Sequence, residues 1–140
     1  MTKNDRPTIA EIRTRIGEKR QEAVEIDKNM LLAYCQCIEE SNPKWQNTTP
    51  PGFLLMVNMS GGASAINIPD PFPKKVAAGT ECEYLKPIKL GDTITTTHEF
   101  TEIQDKSSEK GPRALMIFKS THKNQKGEVV AITTGSAMSY

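Results

Sequence analysis

The sequence predicts an α+β fold in which an antiparallel sheet of about five strands packs around one buried helix. Three observations predict it. From Ala78 onward, apolar residues recur with a period of two through successive segments joined by short links. Lys28 to Glu40 carries Leu31, Tyr34, Cys35 and Ile38 at i, i+3, i+4 and i+7, the stripe of an amphipathic helix. Phe53-Leu54-Leu55-Met56-Val57-Asn58-Met59 is apolar nearly all round, so as a helix it must be wrapped by other elements.

Taken in order, Thr8 to Arg20 has Ile9, Ile12 and Ile16 at helical spacing and is closed by Gly17 and a charged stretch, which predicts a short helix. Ala23-Val24-Glu25-Ile26 alternates as a short strand does. Asp27 is a good N-cap for the helix Lys28–Glu40, because its carboxylate can accept from a free first-turn N–H. Asn42-Pro43 stops that helix, since the residue before proline disfavours the helical backbone. Thr48-Thr49-Pro50-Pro51-Gly52 reads as a helix start for the apolar segment that follows and ends at Gly61-Gly62. A buried strand is the competing reading of so short an apolar run.

Residues 63–75 hold Pro69, Pro71 and Pro73 and are expected to be a loop. Four strands follow: Thr80–Pro87, Thr93–Ile103 after the turn Leu90-Gly91-Asp92, Arg113–Lys123, and Glu128–Met138 after Asn124-Gln125-Lys126-Gly127. Short connections make them antiparallel. In the third, Ala114, Met116 and Phe118 share one face while Leu115 and Ile117 share the other. The second face therefore calls for a cover, and the sheet edges for a partner strand, so a dimer or higher oligomer is expected.

Composition bounds the function. The chain has 140 residues, enough for one domain that buries roughly two-thirds of its unfolded surface. A formal charge of +1 gives no field to attract nucleic acid or an anionic membrane. No apolar run approaches the roughly 18 residues of a membrane span, and no apolar core of a signal peptide follows Met1-Thr2-Lys3. A cytoplasmic protein is expected. The three cysteines cannot all pair, which fits free thiols. Cys35 and Cys37 are two apart on a helix, so their side chains diverge by roughly 200° and read as small buried thiols rather than a metal or redox pair. No metal site is expected.

Several segments carry a resemblance. Glu40-Ser41-Asn42-Pro43-Lys44-Trp45 is similar to the Asp-x-Asn-Pro-x-His signature of R-specific enoyl-CoA hydratases. Pro50-Pro51-Gly52-Phe53-Leu54 is similar to the start of their central helix. Glu83-Tyr84-Leu85-Lys86-Pro87-Ile88-Lys89-Leu90-Gly91-Asp92-Thr93-Ile94 resembles their Y-x-R-P-V-x-x-G-D-x-L strand and turn, and Asn124 to Ala131 their last hairpin. In this order they cover residues 8–140. The chain thus resembles the MaoC-like dehydratases of the hot-dog fold, in which a curved sheet wraps a central helix, and above all their N-terminal domains, which often lack catalytic residues.

That resemblance implies chemistry. Hydrating an enoyl thioester needs one group to take a proton from water and another to protonate the α-carbon; in the family an Asp and a His do this. A backbone N–H at the start of the central helix polarises the thioester carbonyl. Here the Asp position holds Glu40 and the His position holds Trp45, whose indole N–H only donates and is no base near neutral pH. No catalytic pair is expected in this chain. Gly52 falls at the carbonyl-polarising position, where the alternative is simply a small residue at a helix start. Phe53, Met56 and Val57 are candidates for an acyl-binding wall, with plain core as the alternative. His98 and His122 sit on later strands and read as ordinary hydrogen-bonded strand histidines. Lys86, Lys89 and Lys119 read as solvated lysines rather than phosphate ligands.

Three functions are consistent with these residues. The leading one is a non-catalytic subunit of a heteromeric enoyl-CoA hydratase for a bulky acyl-CoA, with Asp and His supplied by a second hot-dog chain. Coenzyme A enters only as part of the substrate, and no separate cofactor is expected. The second is a self-sufficient hydratase, or a thioesterase in which Glu39 or Glu40 activates water. The third is a module that binds acyl-CoA or recruits a protein without chemistry.

Overall fold

The computed structural model describes residues 5–46, 48–50, 52–54 and 66–140, with the backbone alone for Trp45 and Gln46. The first helix, α1, spans Ile9–Arg13 and is closed at its start by a capping box: Thr8 Oγ1 accepts from the Glu11 N–H at 3.2 Å, and Glu11 Oε2 accepts from the Thr8 N–H at 3.1 Å. Only Ile12 of this helix is buried. The helix is shorter than the sequence predicts. Gly17 takes φ +98, which a side chain would resist, and donates to the Phe100 carbonyl at 2.8 Å. The chain then enters strand β1, Lys19–Glu25, well before the expected start at Ala23. Cross-strand pairing overrides the polar local sequence there.

Helix α2, Lys28–Cys37, begins as expected with Asp27 Oδ1 accepting from the Met30 N–H at 2.8 Å. It ends three residues before the expected Glu40. Glu39 adopts φ 55, the Glu40 N–H bonds the Cys35 carbonyl at 2.8 Å, and the Glu39 N–H bonds the Gln36 carbonyl at 3.2 Å. This is a Schellman closure with a non-glycine residue at the left-handed position. Of the predicted stripe, Leu31 is buried, Tyr34 and Cys35 are half-buried, and Ile38 is largely exposed. A short 3-10 turn, Pro43–Gln46, follows.

The sheet comprises β1, β2 (Lys75–Tyr84), β3 (Thr93–Asp105), β4 (Ala114–Lys123) and β5 (Val129–Ser139). Every neighbouring pair is antiparallel, in the order β1-β3-β4-β5-β2. Strand β2 is displaced from the predicted Thr80–Pro87. It starts inside the expected proline loop, where the Lys74 and Tyr140 main chains pair reciprocally at 2.9 Å. Leaving the strand, the N–H groups of Leu85 and Lys86 both turn onto the Val130 carbonyl. The Gly91-Asp92 turn is closed by Asp92, whose Oδ2 accepts from the Lys89 N–H at 2.9 Å and whose Oδ1 accepts from Gln125 Nε2 at 3.0 Å.

Burial alternates along β3 and β4, so one face of the sheet is the inner face. It carries two apolar clusters. One gathers Phe100, Ile103, Met116 and Phe118 against Ile12 of α1. The other gathers Ile94 and Ala131 with Ile26, Leu31, Phe53 and Leu54. Phe53 and Leu54 are helical and fully buried, at the point where the central helix is expected to begin; the rest of that expected helix, Leu55 to Met59, lies outside the described residues. On the opposite face of β4, Leu115 and Ile117 are half-buried. No helix among the described residues is long and apolar enough to cross a membrane.

Candidate functional site

Between the two apolar clusters runs a buried polar belt. Along β3 the inward residues are Ile94, Thr96, His98 and Phe100; along β4 they are Phe118, Ser120 and His122. The polar members are tied in two sets. His98 meets Glu22 Oε1 through Nε2 at 3.0 Å and Ser120 Oγ through Nδ1 at 2.7 Å. His122 meets Thr96 Oγ1 through Nδ1 at 2.8 Å and Thr133 Oγ1 through Nε2 at 3.0 Å. Both imidazoles have no exposed surface, while the Glu22 side chain is 36% exposed at the β1 edge. Burial foremost, and the neighbouring His98 after it, lower the His122 pKa to about 4, with Glu22 partly offsetting them.

The Glu22–His98 pair is the feature that sequence reading misses. Glu22 lies in a charged stretch that gave no strand signal. Only the pairing of Arg20 with His98 and Glu22 with Thr96 carries its carboxylate onto the inner face. Had β1 been extended back from Val24, alternation would have placed Glu22 beside Val24 on that face.

The motif positions form a second locality. Glu40 is exposed, and its Oε1 accepts from the Asn42 N–H at 2.9 Å; Asn42 Oδ1 in turn accepts from the Lys44 N–H at 3.1 Å. The carboxylate thus braces its own turn. The Trp45 side chain lies outside the described residues. The carboxylate that meets His98 is that of Glu22.

Where the central helix is expected to start, the Phe53 N–H bonds the Pro50 carbonyl at 3.0 Å, and the Thr49 N–H bonds the Ile88 carbonyl at 2.9 Å. A Cβ added at Gly52 would stand 2.1 Å from the Tyr34 hydroxyl oxygen, so this close approach needs glycine. Tyr34 packs edge-on against Phe53, with ring centroids 5.5 Å apart. A cavity of about 320 Å³ opens beside this point, between Thr49 and Pro50 on one side and Tyr84 to Ile88 on the other. Burial raises the Tyr84 pKa, and its hydrogen bond to Cys82 and the nearby Tyr34 add to the rise.

Phe53, a candidate for the acyl-binding wall, is fully buried within the second apolar cluster. Met56 and Val57 lie outside the described residues. Lys86 is ion-paired with Glu128, and Lys89 and Lys119 are exposed. Cys35 is half-buried, but Cys37 is exposed, which corrects the expectation of two buried thiols: α2 lays only its Leu31–Tyr34–Cys35 side on the core. Among the described residues, no three His, Cys, Asp or Glu side chains converge in a way that could hold a metal ion.

Comparison with known proteins places this architecture. The family model for the FAS1-like dehydratase domain region matches residues 15–133. No functionally curated protein matches the chain. Among solved structures, the monoamine oxidase regulatory protein from Archaeoglobus fulgius is similar with a TM-score of 0.73 and 18% identity, over 99% of this chain and 97% of that one. The HadBC (3R-hydroxyacyl-ACP dehydratase) complex from Mycobacterium tuberculosis has a TM-score of 0.72 at 11% identity, over 89% and 96%. R-hydratase PhaJ1 from Pseudomonas aeruginosa has 0.68 at 17% identity, over 89% and 81%. The fold is thus the hot-dog fold. With the family model spanning most of its length, the chain belongs to the FAS1-like dehydratase-region family, the MaoC-like group of hot-dog proteins.

Proposed function

We propose that this chain is the non-catalytic subunit of a heteromeric enoyl-CoA hydratase acting on a bulky acyl-CoA. The observation that carries the reading is how its ionisable groups are engaged. Glu40, at the family's acid position, accepts a hydrogen bond within its own turn. Both histidines are fully buried, and each ring nitrogen meets a side chain of the sheet. Adding water across an enoyl thioester needs a base and an acid that reach the same substrate. A partner hot-dog chain supplies that Asp and His, and this chain completes the shared fold. The likeness to the HadBC complex, a heteromeric dehydratase, supports the division of labour.

The purified chain with crotonyl-CoA tests it directly. No hydration is expected from the chain alone, and co-expression with a hydratase-like chain carrying Asp and His is expected to raise that chain's activity. Turnover by this chain alone, abolished by Glu40→Gln, overturns the reading. Turnover abolished instead by Glu22→Gln also overturns it and assigns a self-sufficient site to the Glu22–His98 pair.

A further inference from the structure

We infer that a cavity enclosed by the chain entering α1, the loop entering β2 and the end of β3 binds an apolar monocarboxylic acid. Arg6 receives the carboxylate, and the hydrocarbon body lies on a wall of prolines and Phe72. The cavity measures about 700 Å³, a size that takes a drug-sized molecule. It lies at the first apolar cluster, against which Ile9 and Phe72 pack. Phe53, at the family's central-helix motif, belongs to the second cluster. The cavity beside that motif shares no lining residue with this one.

The walls account for the apolar body. Pro7, Ile9, Pro71, Phe72, Pro73 and Pro112 line the space. Proline has no backbone N–H, so these four rings offer hydrocarbon where other residues would add a donor. The walls are also tied together. Arg6 Nη1 donates to the Phe72 carbonyl at 3.3 Å, joining the chain before α1 to the loop before β2. The Phe72 N–H donates to Ser139 Oγ at 3.1 Å, and that hydroxyl donates back to the Phe72 carbonyl at 3.3 Å. A site formed in advance loses little affinity to ordering on binding.

The two charged groups of the lining, Arg6 and Asp105, are not equivalent. Asp105 is answered by its own chain, with Oδ1 accepting from the Ser107 N–H at 2.9 Å. The Ser107 hydroxyl foremost, then that N–H, with Arg13 nearby, hold the Asp105 carboxyl below the usual carboxylate range. Arg6 donates to a neutral carbonyl, and among the described residues no carboxylate is ion-paired with it. A guanidinium carries five N–H donors in a planar fork, which fits one carboxylate through two parallel bonds. A carboxylate is therefore the partner the lining lacks. Asp105, ionised in the same lining, repels a second negative charge. That disfavours dicarboxylates and the phosphates of coenzyme A.

Calorimetric titration and amide chemical shifts test this on the purified chain. The probe is naphthylacetate, set against its methyl ester, a naphthalene dicarboxylate and coenzyme A. The acid is expected to bind at least about tenfold more tightly than each of the others. Its shifts are expected to centre on the amides of Ala10, Phe72 and Ser107. Arg6→Gln should weaken binding at least about tenfold, and Arg6→Lys should restore part of it. Arg6 is exposed, so neither change threatens the fold. Asp105→Asn should let the dicarboxylate bind more tightly, and no gain there overturns the role given to Asp105. An ester that binds as well as the acid, indifference to Arg6→Gln, or no binding of the acid at about 1 mM overturns the inference. So do shifts centred on Gly52, which would place the acid at the family motif. Shifts at the Ala10 and Phe72 amides that grow with protein concentration alone would assign the cavity to a second copy and overturn it as well. Hydration is read in none of these arms, so failure here is distinct from failure of the proposed function.

Discussion

Glu22 on the edge strand and His98 in the middle of the inner face are joined by a 3.0 Å hydrogen bond, although 76 residues of sequence separate them. Glu22 reaches inward from solvent, and the imidazole it meets is wholly buried and also held by Ser120. With His122, Thr96 and Thr133, this contact makes a polar layer between two apolar clusters. Buried polar groups of this kind are tolerable only while their partners stay in place.

Acid should unfold the protein through His122. Its folded pKa of about 4 lies below the ordinary 6.5, so below pH 6.5 the unfolded chain binds a proton that the folded chain refuses. The neutral ring's contribution is intact above pH 6.5 and is lost as pH falls from 6.5 toward 4. The loss is on the order of 3 kcal/mol when complete. Urea denaturation at a series of pH values should show this slope, and His122→Gln should flatten it. An unchanged slope in the variant contradicts the assignment.

Ser120→Ala removes the hydroxyl that meets Nδ1 of His98 and leaves a buried polar atom unpaired. A cost of about 1–3 kcal/mol is expected. Thr121→Ala, one residue on and facing the other side of the sheet, should cost less than about 1 kcal/mol. Equal losses in chemical denaturation would show that the belt contributes nothing specific.

Gly52→Ala should force the Tyr34 ring off its edge-on contact with Phe53, because the new Cβ would meet the phenol oxygen at 2.1 Å. Overpacking of this sort costs about 1–3 kcal/mol. Tyr34→Phe removes that oxygen and leaves the next ring atom at 3.4 Å, an ordinary contact. The double variant should therefore recover most of the loss. A double-mutant cycle with no coupling would refute the close approach.

Glu39→Gly should stabilise the protein. Glu39 holds φ 55 at the Schellman closure of α2, a backbone conformation that disfavours residues with a Cβ. A gain of about 0.5–1 kcal/mol is expected in thermal or urea unfolding.

The sequence by itself determined the order and kind of α1, α2 and the five strands. Period-two alternation located β3, β4 and β5 to within a few residues, Asp27 marked the start of α2, and Asn42-Pro43 with Gly91-Asp92 carried the family resemblance. These signals are local: each depends on residues a few positions apart, which the chain records directly. The tertiary structure alone decided where the polar belt lies, how far β1 and β2 extend, and that Tyr34 occupies the space beside Gly52. Those outcomes depend on strand register and on contacts between distant segments. Register sets which side chains share a row of the sheet, and no short-range pattern in β1 reveals that Glu22 will end beside His98.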